Sequence, residues 1–298
     1  MHLRKIPHRL FTALVFVASL TSVASFAAEP KRTFREWYYP YGIVMPKGTT
    51  PETGVAGVNS EHVEHLVLAN LSNDEATARI TYFFEEDAPI ERTHKVPPHG
   101  ATIYRHASLK DDAFPRGKLF GARVTSDRPI VVQSTQGGSE TVAKPALPSN
   151  FESSVIAYPG PLGKKETRWM YADAHPFLTK SPTGWHDWEW ITILNPHPDK
   201  PANIRITFHF VARLGPAKTH TLTVPPERIR HLALHELPLP VMKFADACYP
   251  IIESDVPIVV EQTRRPVVAS SPGPRGGWNL IALPIGDVDF DLPAPKPE

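Results

Sequence analysis

The sequence predicts an all-β protein built from two tandem antiparallel β-sandwich modules with an approximate internal two-fold, and three observations predict it. A motif occurs twice: Ser126-Asp127-Arg128-Pro129-Ile130-Val131-Val132 returns as Ser254-Asp255-Val256-Pro257-Ile258-Val259-Val260, an offset of 128 residues from 126 to 254. Prolines number 33 against 17 glycines in 298 residues, a balance that suits short turns and rigid connections and works against long helices. Short β-branched and aromatic runs bounded by turn residues fill both halves, roughly seven strands in about 120 residues, the spacing of an antiparallel sandwich.

In chain order, Arg4, Lys5 and Arg9 precede an apolar run from Leu10 to Leu20, with small residues around Ser25-Phe26-Ala27. This is the pattern of an export signal over residues 1–27, and it places the mature chain in the periplasm or outside the cell. The run is short and interrupted by Ser19, Thr21, Ser22 and Ser25, so a retained anchor across roughly 30 Å of hydrocarbon is the weaker reading. Module one is expected over 34–160 and module two over 166–286, with a disordered acidic and proline-rich tail over 287–298. Each module opens on an aromatic segment, Glu36 to Gly42 and Arg168 to Ala174, followed by a long polar loop.

The next strands pair across the repeat, Val63 to Asn70 with Trp188 to Asn195. Alternation puts Glu64, Leu66, Leu68 and Asn70 on one face and Glu189, Ile191, Ile193 and Asn195 on its counterpart. Each stripe is apolar in its middle and polar at both ends. Asn70 and Asn195 sit where turns begin. The glutamates need a partner or an opening to water, because an unpaired buried carboxylate costs several kcal/mol. Arg79-Ile80-Thr81 and Arg205-Ile206-Thr207 open the following strands; Val96-Pro97-Pro98 and Val224-Pro225-Pro226 mark matching turns. In the repeated motif Ser-Asp is turn chemistry and Ile-Val-Val a strand buried on both faces, turning polar where it would emerge from the sheet.

Composition narrows the function. A formal net charge of +1 without a basic cluster beyond the first residues argues against nucleic acid held by counterion release, and equally against a membrane surface once the signal is removed. Phosphate loops, nucleophile elbows, HExxH helices and paired-cysteine motifs are absent, so no catalytic residue, metal ligand or cofactor is assigned. Cys248, the single cysteine, reads as a small buried hydrophobe and leaves the exported chain without an internal disulfide. The His175, His186, Asp187, Glu189 group alternates faces as a strand and does not converge on one ion. The aromatics Trp169, Tyr171, Trp185, Trp188, Trp190 and Trp278 beside carboxylate, amide and guanidinium groups suit a polyhydroxylated ligand, whose C–H faces stack on rings while its hydroxyls pair with planar polar groups. Core packing is the commoner use of such rings.

Together, Trp169 to Asp173, Glu189 to Asn195, Arg205-Ile206-Thr207-Phe208, Val224-Pro225-Pro226, Glu253 to Val260 and Gln262-Thr263-Arg264 resemble the sensory rhodopsin transducer family. The first half keeps Trp37, Glu64, Asn70, Arg79-Ile80-Thr81, Val96-Pro97-Pro98 and the Ser-Asp-X-Pro strand, with Gln136 where Arg264 stands. The resemblance implies a β-sandwich that assembles into oligomers and binds a small molecule such as a sugar. A cytosolic photoreceptor partner does not transfer to an exported duplicate. Ala174 replaces the glycine expected after Asp173, a departure from the pattern.

The resulting expectation is a non-catalytic binding protein for a small polar ligand, with Trp169, Tyr171, Asp173, Glu189, Trp190, Asn195, Thr263 and Arg264 as ligand residues in module two and Trp37, Glu64 and Asn70 in module one. Module two is expected to carry the functioning site, because Gln136 cannot balance the charge of Glu64 as Arg264 can balance Glu189. The alternatives are a structural or assembly protein of the envelope and, third, a glycoside hydrolase using Glu64 or Glu189. If duplication internalises one association surface, the chain is expected as a monomer or a symmetric homodimer.

Overall fold

A computed structural model describes residues 34–43, 45–49, 58–105, 114–115, 117–142, 148–174, 185–211, 214–240, 246, 248–268 and 278–286. The signal expected over 1–27, the tail expected over 287–298 and most of the loop after Ala174 lie outside the described residues, as do the side chains of Trp185, Trp188, Gln136 and Trp278. Among the described residues no helix is long and apolar enough to cross a membrane.

Among the described residues the structure is almost entirely strand, with only short 3₁₀ turns besides. Module one comprises β1 (Glu36–Ile43), β2 (Met45–Thr49), β3 (Val58–Asn70), β4 (Ala76–Phe84), β5 (Ile90–Val96), β6 (Ala101–Arg105), β7 (Leu119–Ser126), β8 (Ile130–Val142), β9 (Pro148–Ile156) and β10 (Tyr158–Pro159). A 3₁₀ turn at Lys164–Thr167 leads into module two: β11 (Arg168–Met170), β12 (Trp185–Asn195), β13 (Ala202–Phe210), β14 (Lys218–Val224), β15 (Arg228–Ala233), β16 (Cys248–Ser254), β17 (Val259–Val268), β18 (Trp278–Ile281) and β19 (Leu283–Pro284). All pairings are antiparallel, and the order repeats. Sheet I of module one runs β10-β1-β7-β4-β5, and sheet I of module two β19-β11-β16-β13-β14. Sheet II runs β2-β3-β8-β9 with β6 on β3 in module one, and β15-β12-β17-β18 in module two. The two-module, all-β expectation holds.

The motifs explain why the copies coincide. Asp127 Oδ1 accepts the Thr77 amide at 2.7 Å, and Asp255 Oδ1 accepts the Asn203 amide at 2.9 Å. Ser126 Oγ and Ser254 Oγ each accept the amide two residues on, both at 3.3 Å. Each Ser-Asp turn thereby ties the strand that follows it to the start of the neighbouring sheet I strand. Asn70 and Asn195 do the same at the other end: Asn70 Nδ2 donates to Asp74, Val96 and Pro97 carbonyls, and Asn195 Nδ2 to those of Lys200, Val224 and Pro225. The Val-Pro-Pro turns cannot supply proline amides to the ladder, so an asparagine bonds their carbonyls instead.

The alternating stripes face inward as expected: Glu64, Leu66, Leu68, Asn70, Glu189, Ile191, Ile193 and Asn195 are all at most 1% exposed. An internal two-fold would bring the same face of each module together, and the contacts do otherwise. The outer face of sheet I in module one, carrying Tyr38, Phe83 and Tyr158, is continuous with the core of module two. It lies on the outer face of sheet II of module two, where β1 meets β12 and β17, and β15 meets β4 and β7. At one margin β9 runs beside β18. Gly121 marks the closest approach, since a Cβ there would sit 2.8 Å from Ile229 Cγ2. The modules are therefore stacked head to tail through different faces.

Candidate functional site

Antiparallel register places the key residues before any side chain is considered. Glu189 on β12 stands opposite Arg264 on β17, and Glu64 on β3 opposite Gln136 on β8. Directly opposite residues share a face, so the register puts Glu189 and Arg264 together on the inner face of module two.

Gln262, two residues before Arg264 on that face, completes the arrangement. Its Nε2 donates to Glu189 Oε1 at 2.6 Å and to the Asp173 carbonyl at 2.8 Å. Arg264 Nη1 donates to Asp173 Oδ2 at 3.4 Å. Glu189 is 1% exposed and Arg264 8%, whereas the Asp173 side chain is 60% exposed; the cluster thus runs from the module interior to its surface at the end of β11. Tyr171 lies beside it, 3% exposed, and its hydroxyl has no hydrogen-bond partner among the described residues. Burial first, then the neighbouring Glu189 and Cys248, push that hydroxyl's pKa well up, so it stays protonated and able to donate. Cys248 is buried and its Sγ donates to the Ala174 carbonyl at 3.2 Å. Burial and then Glu189 and Asp173 hold the thiol above its ordinary range, which makes it inert as a nucleophile.

Module one carries the same constellation in closed form. Tyr39, the counterpart of Tyr171, donates to Glu64 Oε1 at 2.6 Å. Ser134, the counterpart of Gln262, donates to the same oxygen. Tyr39 is fully buried, and burial, then Glu64 and Glu261, raise its pKa well above that of a free tyrosine. Neither Tyr39 nor Ser134 was singled out by the sequence patterns, and Gln262 entered only as part of the segment Gln262-Thr263-Arg264 that carries the family resemblance. Tyr39 had a usable signal, lying two residues beyond Trp37 and so on the same strand face; the short polar residues ending the repeated motif looked like a strand emerging into water.

The other expected ligand residues are distributed differently. Trp169 is fully buried, its Nε1 donating to the Glu166 carbonyl at 2.7 Å and its ring meeting the edge of Tyr158 at 5.0 Å. Trp37 is 3% exposed and donates to the Ile130 carbonyl at 2.9 Å. Asn70 and Asn195 spend their amides on the turns described above. Trp190 and Thr263 occupy the outer face of sheet II, away from the Glu189–Arg264 cluster. Trp190 stacks on His231 at 5.7 Å, and His231 on Tyr41 of module one at 5.5 Å.

That outer face holds a second polar feature. Glu261 is fully buried between the modules, and neither carboxylate oxygen has a hydrogen-bond partner of normal geometry among the described residues; the Tyr41 backbone lies near enough to favour its charge. Burial and then Glu64 hold its carboxyl well above the usual range. Among the described residues no three His, Cys, Asp or Glu side chains are grouped to hold a metal ion.

The comparisons agree with the duplication. A family model, described as Anabaena sensory rhodopsin transducer, matches residues 34–152 and again 163–271. Solved structures similar to part of the chain include "Crystal Structure of Thermotoga maritima 1070", at 21% identity over 42% of this chain and 94% of that one, TM-score 0.33. Another is the Anabaena sensory rhodopsin transducer, at 25% identity over 34% of this chain and 91% of that one, TM-score 0.27. No curated protein matches the chain.

Proposed function

The chain belongs to the Anabaena sensory rhodopsin transducer family, whose domain it carries twice, and we propose that it is a non-catalytic binding protein for a small polyhydroxylated ligand, a sugar or a close relative, with its working site in module two. One observation carries this reading: the Tyr39 hydroxyl is consumed by Glu64, while the equivalent Tyr171 hydroxyl is buried beside Glu189 with no partner among the described residues. A buried donor left unsatisfied costs about 1–3 kcal/mol, and a ligand oxygen accepting from it recovers that cost on binding. Asp173 and Glu189 can accept from ligand hydroxyls, and Arg264 can donate in a fixed planar fork. Module one lacks both the unsatisfied hydroxyl and the guanidinium. The export signal read over residues 1–27 supports action in the periplasm or outside the cell.

The test is a thermal-shift screen of mono- and oligosaccharides against the wild type, Arg264→Ala, Tyr171→Phe and Glu64→Gln. A ligand at 100 times its dissociation constant stabilises the folded state by about 2.7 kcal/mol, a rise of several degrees for a chain of this size. The wild type and Glu64→Gln should show the rise, and Arg264→Ala and Tyr171→Phe should lose most of it. No shift of the wild type by any saccharide, or an unchanged shift in Arg264→Ala, overturns the reading.

A further inference from the structure

The candidate site gathers carboxylate, guanidinium and hydroxyl groups but no ring for a sugar face to lie on, because Trp169 is spent on the core and Trp190 on the contact between modules. The strand registers supply two such rings. We propose that the ligand is a short oligosaccharide, not a single sugar, laid along sheet II of module two with one sugar face on Trp278 and another on Trp185. The inference rests on the reading of module two as a saccharide site and adds the length of the ligand and the residues that measure it.

Across sheet II, Glu189 on β12 stands opposite Arg264 on β17, and Arg264 stands opposite Trp278 on β18. Opposite residues share a face, so the carboxylate, guanidinium and indole positions form one row on the inner face. Residues two apart on a strand return to the same face. Asp187 and then Trp185 therefore continue that face along β12, with Trp185 at the last pair of the ladder, opposite Val268. Adjacent strands lie about 4.8 Å apart and each residue advances about 3.3 Å, so two strands across and four residues along separate the Trp278 and Trp185 positions by about 16 Å. That is wider than one pyranose ring. The row and strand that join the two tryptophans are polar: Arg264, Glu189 and Asp187. Rings at the ends and planar polar groups between them suit a run of sugars, each with a C–H face to stack and hydroxyls to pair.

The described strands of sheet I stop short of this stretch. At this end they reach Ala174, Cys248 and Phe210, which lie in one row, and the Asp173 carbonyl meets Gln262 Nε2 at 2.8 Å. Past that level β12 runs on from Glu189 to Trp185 and β17 from Arg264 to Val268, about 13 Å of sheet that no described strand of sheet I faces. The margin of the face is already open one step earlier. Leu280 stands opposite Gln262 and is 49% exposed, although Gln262 itself is 2% exposed.

Module one lacks both rings. The position opposite Gln136, equivalent to Trp278, is Ser153, and the position on β3 equivalent to Trp185 is Ser60. Serine offers no face for stacking, so the copy whose tyrosine is closed onto its glutamate also lacks the two ends of the proposed track.

Isothermal titration with the gluco-, xylo- and chito-oligosaccharide series, from monomer to hexamer, tests the proposal on the wild type, Trp185→Ala, Trp278→Ala and Trp188→Ala. Trp188 occupies an outer-face position of the same strand and serves as control. Circular dichroism and melting curves confirm that each variant is folded. Wild-type affinity should rise with chain length and level off once the chain spans both tryptophans. Trp185→Ala should weaken the longer chains by about five- to tenfold and leave the monomer unchanged, Trp278→Ala should weaken both, and Trp188→Ala should match the wild type. A monosaccharide bound as tightly as its oligomers, or a length series unchanged in Trp185→Ala, overturns this inference and leaves the saccharide site of module two standing. Equal losses in Trp188→Ala and Trp185→Ala also overturn it, because the register separates the two. No binding of any monomer or oligomer overturns both readings.

Discussion

Asn195→Ala isolates the structural load carried by one residue of the expected ligand set. Asn195 is fully buried. Its amide nitrogen donates at 2.8, 3.1 and 3.1 Å to the carbonyls of Lys200, Val224 and Pro225, and its Oδ1 accepts the His197 amide at 3.1 Å. Each such bond contributes about 1 kcal/mol net, and removing one side leaves the other partner stranded. Two amide protons serve three carbonyls, so the shortest contact and a shared pair count as about two bonds; with the Oδ1 contact the loss comes to about 3 kcal/mol. Equilibrium urea unfolding followed by tryptophan fluorescence should show a lower midpoint at unchanged slope, and melting should fall by about 6–12 °C. Asn70→Ala should behave alike, because its Nδ2 makes the same three contacts. A loss below about 1 kcal/mol, combined with loss of saccharide response, would refute this reasoning and return Asn195 to a ligand role.

Two further perturbations address the contact between modules. Glu261 has its pKa raised in the folded state by burial and then by Glu64, so the folded chain holds this proton more tightly than the unfolded chain. Its contribution is therefore fully present below the unfolded value near 4.5 and is lost progressively as pH rises. Glu261→Gln should match the wild type in melting temperature near pH 4 and exceed it by a growing margin up to pH 8; a margin independent of pH would contradict the assignment. Gly121→Val places carbon where Ile229 Cγ2 already lies 2.8 Å from a Cβ, and overpacking of this kind costs about 1–3 kcal/mol. Ile229→Ala in the same chain should recover part of that cost in urea unfolding, and strict additivity of the two changes would show that they do not meet.

The strands and their register were legible because they rest on local rules: period-two alternation, Ser-Asp-X-Pro turns and a constant offset between copies. Those rules sufficed to put Glu189 and Arg264 at one end of one face. They did not reveal what closes around the glutamates, since Ser134 and Gln262 are polar residues just past the apolar Ile-Val-Val run, a pattern equally suited to a strand emerging into water. Nor could they separate rings by use. Trp169 and Trp190 are both nearly fully buried, yet one anchors the start of β11 to the Glu166 carbonyl and the other packs against His231 between the modules.

The choice of faces lay further out of reach, because nearly identical strands meet different surroundings. Ile130-Val131-Val132 and Ile258-Val259-Val260 have the same residues, and sequence alone makes both strands buried on two sides. Val259 is buried because module one covers it, while Val131 is half-buried on a face of module one that the described residues of module two do not cover. A two-fold arrangement would have treated the two valines alike. Head-to-tail stacking breaks the equivalence, and once it is broken the copies are free to diverge: the covered sheet II gathers Glu261, Thr192, His231 and Trp190, the uncovered one Gln133, Val67, Ile103 and His65. The inner faces diverge in step. Module one closes its tyrosine onto its glutamate, and module two turns its glutamate to Gln262, leaving the Tyr171 hydroxyl without a partner among the described residues.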